Sequence, residues 1–142
     1  MGVTVNFLTG MGQYLEAQNV ADFTSPWGVN DTAVTIDALP ASPDKAVAMT
    51  VYPVSFDAGT DAVMGLQFRV RGSPGNRVAA KDILDRLLDV LDQLQHTTIG
   101  GIPIVRMWHQ SGAYLGTDTN NRPEHTANFY IQHTRTGTHR ND

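Results

Sequence analysis

Residues 63–95 read VMGLQFRVRGSPGNRVAAKDILDRLLDVLDQLQ, and the hydrophobic period changes once inside that stretch. From Val63 to Arg71 the period is two. Met64, Leu66, Phe68 and Val70 point one way, and Gln67, Arg69 and Arg71 point the other. That alternation is the mark of an antiparallel strand with one face buried and one face wet. Gly72-Ser73-Pro74-Gly75-Asn76 is a turn by composition. Beyond it the period becomes 3.6 over Arg77–Gln95. Ala80, Ile83, Leu84, Leu87, Leu88, Leu91 and Leu94 form one apolar stripe, with Asp82, Asp85, Asp89 and Asp92 on the opposite side. Asp82 and Arg86 stand four apart and pair for roughly 0.3 kcal/mol. A stripe this wide must leave water, so the helix lies on the sheet to which the strand belongs.

Upstream, the spacing predicts a helix over Thr4–Ala21, capped by Thr4, with Val3 stapled to Leu8. Leu8, Met11 and Leu15 share a face, with Phe7 and Tyr14 beside them. Gly10 and Gly12 each weaken this helix by about 1 kcal/mol against alanine. Ser25-Pro26-Trp27-Gly28 ends the segment. Strands are expected over Ala33–Leu39 and Ala46–Phe56, with Pro53 marking an edge, a bulge or a strand end. Asp57–Asp61 connects the latter to the strand from Val63. Downstream, Gly100-Gly101 supplies the positive φ of a tight hairpin turn over Thr98–Ile102. A strand over Pro103–Gly112, a polar loop over Gly116–Glu124 and a last strand over His125–Thr134 follow, with Ala127, Phe129 and Ile131 inward. The fold class is α+β: a twisted, mostly antiparallel sheet packed against a long amphipathic helix and an N-terminal helix. Residues 1–135 make one domain, and 136–142 a polar tail expected to be mobile in isolation.

The bulk properties narrow the function. At 142 residues, 41% hydrophobic, the chain can bury one real core without metals or disulfides. Having no cysteine, it has no disulfide framework, no Cys-ligated zinc and no thiol nucleophile. The net charge is −4 and no Lys/Arg cluster offers several phosphate contacts. No apolar run approaches the ~18 residues of a membrane span. A signal peptide is not expected, and Asn6 stands where a myristoylation site needs Ser or Thr.

Signatures of chemistry are sparse. There is no G-x-S-x-G, P-loop, G-x-G-x-x-G or H-E-x-x-H. Ser111 with a His and an Asp could make a triad, but chance supplies that combination in any chain of this length. His109, His125 and His133 on neighbouring strands could hold a metal. Hydrogen bonding on a polar face is the simpler account of them. Asp118 to Glu124 lacks the central glycine and distal glutamate of an EF-hand. The helix aspartates read as a solvated face. No catalytic residue, cofactor or metal is expected. Contact residues are the better candidates: Arg69 and Arg71 on the outward side of a strand, Trp108 and Tyr114 as aromatic anchors, and Asp118, Asn120, Asn121 and Arg122 on the polar loop.

The order of several segments carries a resemblance. Met49-Thr50-Val51-Tyr52-Pro53-Val54 precedes Gly65-Leu66-Gln67-Phe68-Arg69-Val70-Arg71-Gly72. The amphipathic helix ends in Leu94-Gln95-His96, and Gly100-Gly101 follows. Then come Trp108-His109-Gln110-Ser111-Gly112-Ala113-Tyr114-Leu115-Gly116-Thr117-Asp118 and Asn128-Phe129-Tyr130-Ile131. Over roughly residues 1–135 this series resembles the tail terminator proteins of long-tailed bacteriophages, also labelled minor capsid or minor tail proteins. The resemblance implies a structural virion protein without catalytic residues. It would form a ring, commonly of six copies, at the head-proximal end of the tail, after assembly in the host cytoplasm. The ring caps the tube of major tail protein, ends its polymerisation and meets a neck, stopper or connector protein. DNA passes through the lumen without sequence-specific binding. A ring needs one patch on each copy to meet a different patch on the next. Six copies at −4 each carry −24, which lets DNA slide rather than stick. The alternatives are another head–tail connector or head-completion protein, and a small ligand-binding or hydrolytic α+β domain with a deep polar pocket.

Overall fold

The computed structural model describes residues 2–56 and 61–134. Along these residues run α1 (Val3–Ala17), β1 (Ala33–Ile36), β2 (Ala46–Phe56), β3 (Asp61–Arg71), α2 (Arg77–Leu91), β4 (Gln95–Ile99), β5 (Ile102–Thr117) and β6 (Pro123–Thr134). The strands make one sheet in the order β1-β2-β3-β6-β5-β4. The connection over 57–60 and the tail from Thr136 lie outside the described residues.

The period-two reading of β3 sets the middle of the sheet. Leu66 stands opposite Val51 and Phe129, and Phe68 opposite Met49 and Ala127, so one face is apolar across three strands. Both helices bury their apolar sides on that face. Phe7, Leu8, Met11 and Leu15 of α1 join Ala80, Ile83, Leu87 and Leu91 of α2 in one cluster with Val47, Met49, Leu66, Phe68, Met107, Phe129 and Ile131. Asn76 caps α2 through Oδ1, which accepts from the Ala79 N–H at 3.1 Å.

The sheet is mixed rather than antiparallel throughout. β1 runs parallel to β2, pairing Ala33 with Ala46 and Ile36 with Met49. Asp37, at φ 66°, ends β1 three residues before the expected Leu39. Residues 37–45 then return along the strand instead of making a hairpin. Both helices are shorter than the sequence pattern, and by the same device. Asn19 at φ 61° and Gln93 at φ 64° take left-handed backbone just after α1 and α2, which a helix cannot continue through. α1 starts at Val3 on an N-cap, Gly2, that makes no side-chain bond, so Thr4 lies inside the first turn and Val3 is exposed rather than stapled. After α2, the Gln93 N–H donates to the Met107 carbonyl and the Met107 N–H to the Leu94 carbonyl. The chain is thus already pairing where helix was expected, and β4 follows. Thr97-Thr98-Ile99 before Gly100-Gly101 was its signal, because a hairpin turn requires a strand on each side.

Gly10 and Gly100 explain each other. A Cβ on Gly10 would stand 2.4 Å from the Gly100 Cα. α1 therefore crosses the β4–β5 turn at backbone contact distance, and the weakening of the helix is the cost of that approach. Pro53 sits beside a register shift between Pro53 and Ser55 in β2, where a residue without an N–H is tolerated.

Candidate assembly surfaces

The second face of the sheet carries no helix among the described residues. Its side chains run in cross-strand rows. Tyr52, Gly65, Tyr130 and Trp108 stand opposite one another on β2, β3, β6 and β5. The Tyr52 ring covers Gly65, where an added Cβ would meet ring carbons at 2.2–2.6 Å. Trp108 and Tyr130 meet edge to face at 6.0 Å, and the Arg106 guanidinium lies 4.4 Å above the Trp108 ring. In the next row Gln67 Nε2 donates to Asn128 Oδ1 at 3.1 Å, and Asn128 Nδ2 donates to Ser111 Oγ at 3.2 Å. Beyond it Arg69 holds Glu124 through Nε at 2.7 Å and Nη2 at 2.6 Å. Aromatic rings and arginine are the side chains enriched in the cores of protein interfaces.

One end of this face is covered by the chain itself. The loop 37–45 folds over it and two buried arginines fasten the loop. Arg71 donates from Nη2 to the carbonyls of Pro40 and Pro43, at 2.6 and 2.8 Å, and from Nε to that of Asp44 at 2.8 Å. Arg122 donates from Nη1 to the Ala41 carbonyl at 2.9 Å and from Nε to Asp118 Oδ2 at 2.8 Å. Asp118 also accepts from the N–H groups of Asn120 and Arg122, both at 2.9 Å. Burial works against the Asp118 carboxylate, but these bonds from Arg122 and Asn120 hold its pKa below the ordinary carboxylate value. Arg71→Ala removes three bonds to carbonyls, one buried and two part-buried, and is expected to cost about 3 kcal/mol, from about 1 kcal/mol per acceptor left without a donor. Urea denaturation, with limited proteolysis at 37–45, checks this. Arg71→Lys should recover little, because an ammonium lacks the fork that reaches three carbonyls.

The other feature is a projecting arm. β5 pairs with β6 along its length but with β4 only as far as Arg106. Asp92 Oδ1 accepts the His109 N–H at 2.9 Å, and from Gln110 to Leu115 the outer edge has no strand beside it and the residues are exposed. Register shifts between Ile104 and Arg106, His109 and Ser111, and Tyr114 and Gly116 each place an extra residue on β5 against β6, which bends the strand and interrupts its alternation. Tyr114 and Leu115 are 45% and 48% exposed.

Among the described residues the Ser111 triad and the three-histidine metal site do not come together. Ser111 spends its oxygen on Asn128. His125 and His133 are eight residues apart on β6, about 26 Å at the rise of a strand, and no group of three His, Asp or Glu with metal-binding geometry occurs among the described residues.

A model of the bacteriophage tail terminator proteins matches residues 14–135. The chain belongs to that family. A solved chain described as "Virion of native gene transfer agent (GTA) particle" shares the fold, with a TM-score of 0.57 at 17% identity over 71% of this chain and 78% of that one. No curated protein matches the sequence.

This tail terminator family member distributes its eight candidate contact residues unevenly. Arg69 and Trp108 are on the uncovered face, Arg69 largely exposed and Trp108 half-buried under Arg106. Tyr114 stands on the arm, and Asn120 and Asn121 are exposed at its tip. Arg71 and Arg122 are only 3% and 7% exposed, and Asp118 is half-buried, so these three hold the protomer's own loops. Sequence alone could not separate Arg69 from Arg71, because both alternate outward and only the tertiary return of loop 37–45 buries one. Tyr52, Arg106 and Tyr130 were missed. Their signal was present: each alternates with core residues, so they share a face with Trp108 once register is known.

Proposed function

We propose that the protein is a non-catalytic component of the phage tail that closes into a ring, of six copies, on the head-proximal end of the tail tube. There it ends addition of tube subunits and presents its far side to a neck or connector protein, while DNA passes through the lumen. The observation that carries this reading is the family match over residues 14–135. The two surfaces support it physically. A ring interface must be heterologous, and this protomer offers two unlike patches: a sheet face of aromatic rings and arginines, and a projecting arm whose outer edge has no strand beside it from Gln110 to Leu115.

Electron microscopy of tails assembled with and without the protein tests the reading. Loss should give tubes of uncontrolled length, and tubes of unchanged length would refute it. Binding of the purified protein to the head-side connector but not to tube ends would instead favour a connector role. Within this reading Trp108→Ala is expected to leave the protomer folded and to weaken assembly by about 2 kcal/mol or more, the scale of an aromatic anchor. That corresponds to at least roughly thirtyfold. Sedimentation or tail-end occupancy of the variant checks it, with circular dichroism as the control for folding.

A further inference from the structure

Where α2 begins, a small pocket of about 190 Å³ lies between the helix and the arm, lined by Arg77, Lys81, Tyr114 and His125. It opens beside a larger groove, about 440 Å³, lined by Leu84, Asp85 and Leu88 of α2 and by His109, Gly112 and Ala113 of β5. The pocket has cationic walls and no counter-charge. Arg77 and Lys81 are one turn apart, and neither makes an ion pair among the described residues. The Arg77 guanidinium instead lies 5.2 Å above the Tyr114 ring. The first turn of α2 has no acidic residue, so these two cations stand at the end of the helix where the dipole favours an anion.

His125 supplies an independent sign. It is 8% exposed, its ring lies 5.0 Å from that of Tyr114, and its Nε2 is buried without a hydrogen-bond partner. Buried polar atoms are almost always paired. Burial first, then the charges of Lys81 and Arg77, push the imidazole pKa down, so the ring is neutral at neutral pH and can carry its proton on Nε2. Asp85 lines the outer groove rather than the pocket. Glu124, next in sequence to His125, is turned to the other face of the sheet and held by Arg69.

We propose that this pocket is a carboxylate site that receives an acidic side chain from a second copy of this chain, seated along the free edge of β5. The assignment rests on the ring reading and gives its interface a specific contact. Arg77 and Lys81 supply charge and the His125 Nε2–H supplies direction, enough for one carboxylate. A nucleic-acid backbone would need a row of cations, and the adjoining groove instead carries Asp85 between Leu84 and Leu88. The chain has 14 acidic residues against 10 basic ones. Each copy therefore has carboxylates to offer a neighbour, and Asp37 and Asp89 are exposed.

The test is a titration of the full chain with sodium acetate at constant ionic strength, followed by the His125 ring resonances in NMR. A saturable shift is expected, weakened at least fivefold in Arg77→Ala and in Lys81→Ala, both of which alter exposed side chains. No saturable shift, or one unchanged in both variants, overturns the carboxylate site. The second arm is ring formation on tail tubes by Lys81→Glu, expected to fall at least tenfold. If Lys81→Glu rings form normally, or if the variant's main loss is in binding a short DNA duplex, the second-copy assignment is overturned. Failure of the ring reading would show separately, as tubes whose length ignores the wild-type protein, and the acetate titration does not depend on it.

Discussion

Leu87→Asp is expected to leave no folded protein at 25 °C. Leu87 is completely buried in the third turn of α2, inside the cluster that joins both helices to the sheet. The substitution removes a core leucine, worth about 2–5 kcal/mol, and places in its stead a carboxyl group with no donor, at several kcal/mol more. Together these reach the whole stability of an ordinary domain, about 5–15 kcal/mol. Circular dichroism and tryptophan fluorescence of the purified variant should show an unfolded chain. Asp89→Asn, two residues along, should change stability by less than about 0.5 kcal/mol, because Asp89 is exposed. A folded Leu87→Asp would mean that α2 is not seated on the sheet. A large loss from Asp89→Asn would mean that the aspartate side of the helix is not solvated in the protomer.

Gly100→Ala is expected to cost about 3–4 kcal/mol, near 10 °C in Tm for a domain of this size. Two effects add. Gly100 has φ 57°, which penalises any side chain by about 1 kcal/mol. A Cβ there would also stand 2.4 Å from the Asn6 carbonyl oxygen and 2.5 Å from the Phe7 Cα, both backbone atoms of α1. Backbone cannot step aside as a side-chain tip can, so this falls at the upper end of the roughly 1–3 kcal/mol of overpacking. Gly101 is the internal control. Its φ is 81°, but nothing lies within 4 Å of an added Cβ, so Gly101→Ala should cost only about 1 kcal/mol. Thermal denaturation of the two variants side by side decides. Equal losses would show that α1 does not cross the turn at contact distance.

That pair of glycines also shows where sequence reading stops. Gly100-Gly101 announces a hairpin turn through local backbone preference, and the turn is there. That one glycine additionally admits a helix more than 85 residues upstream is information held in the packing of distant segments, and no local pattern contains it. The surfaces divide in the same way. Tyr114, Asn120 and Asn121 were legible as exposed positions, and they are exposed, because a polar loop and the strand leading to it sit at the surface. The row Tyr52–Gly65–Tyr130–Trp108 was not, since it exists only in the register of four strands.

The sequence by itself determined the class of the fold, the helix stripe and the strand that carry the core, and the tail terminator family, because period and segment order are local or serial properties of the chain. Tertiary structure alone decided the rest. Left-handed residues Asn19, Asp37 and Gln93 cut each element short, and the return of loop 37–45 made β1 parallel. Arg71, outward-facing by pattern, and Arg122 are buried as fasteners of that loop. At Asp37, Gln93, Arg71 and Arg122 the deciding interaction joins residues far apart in the chain, and its energy depends on geometry that spacing does not encode.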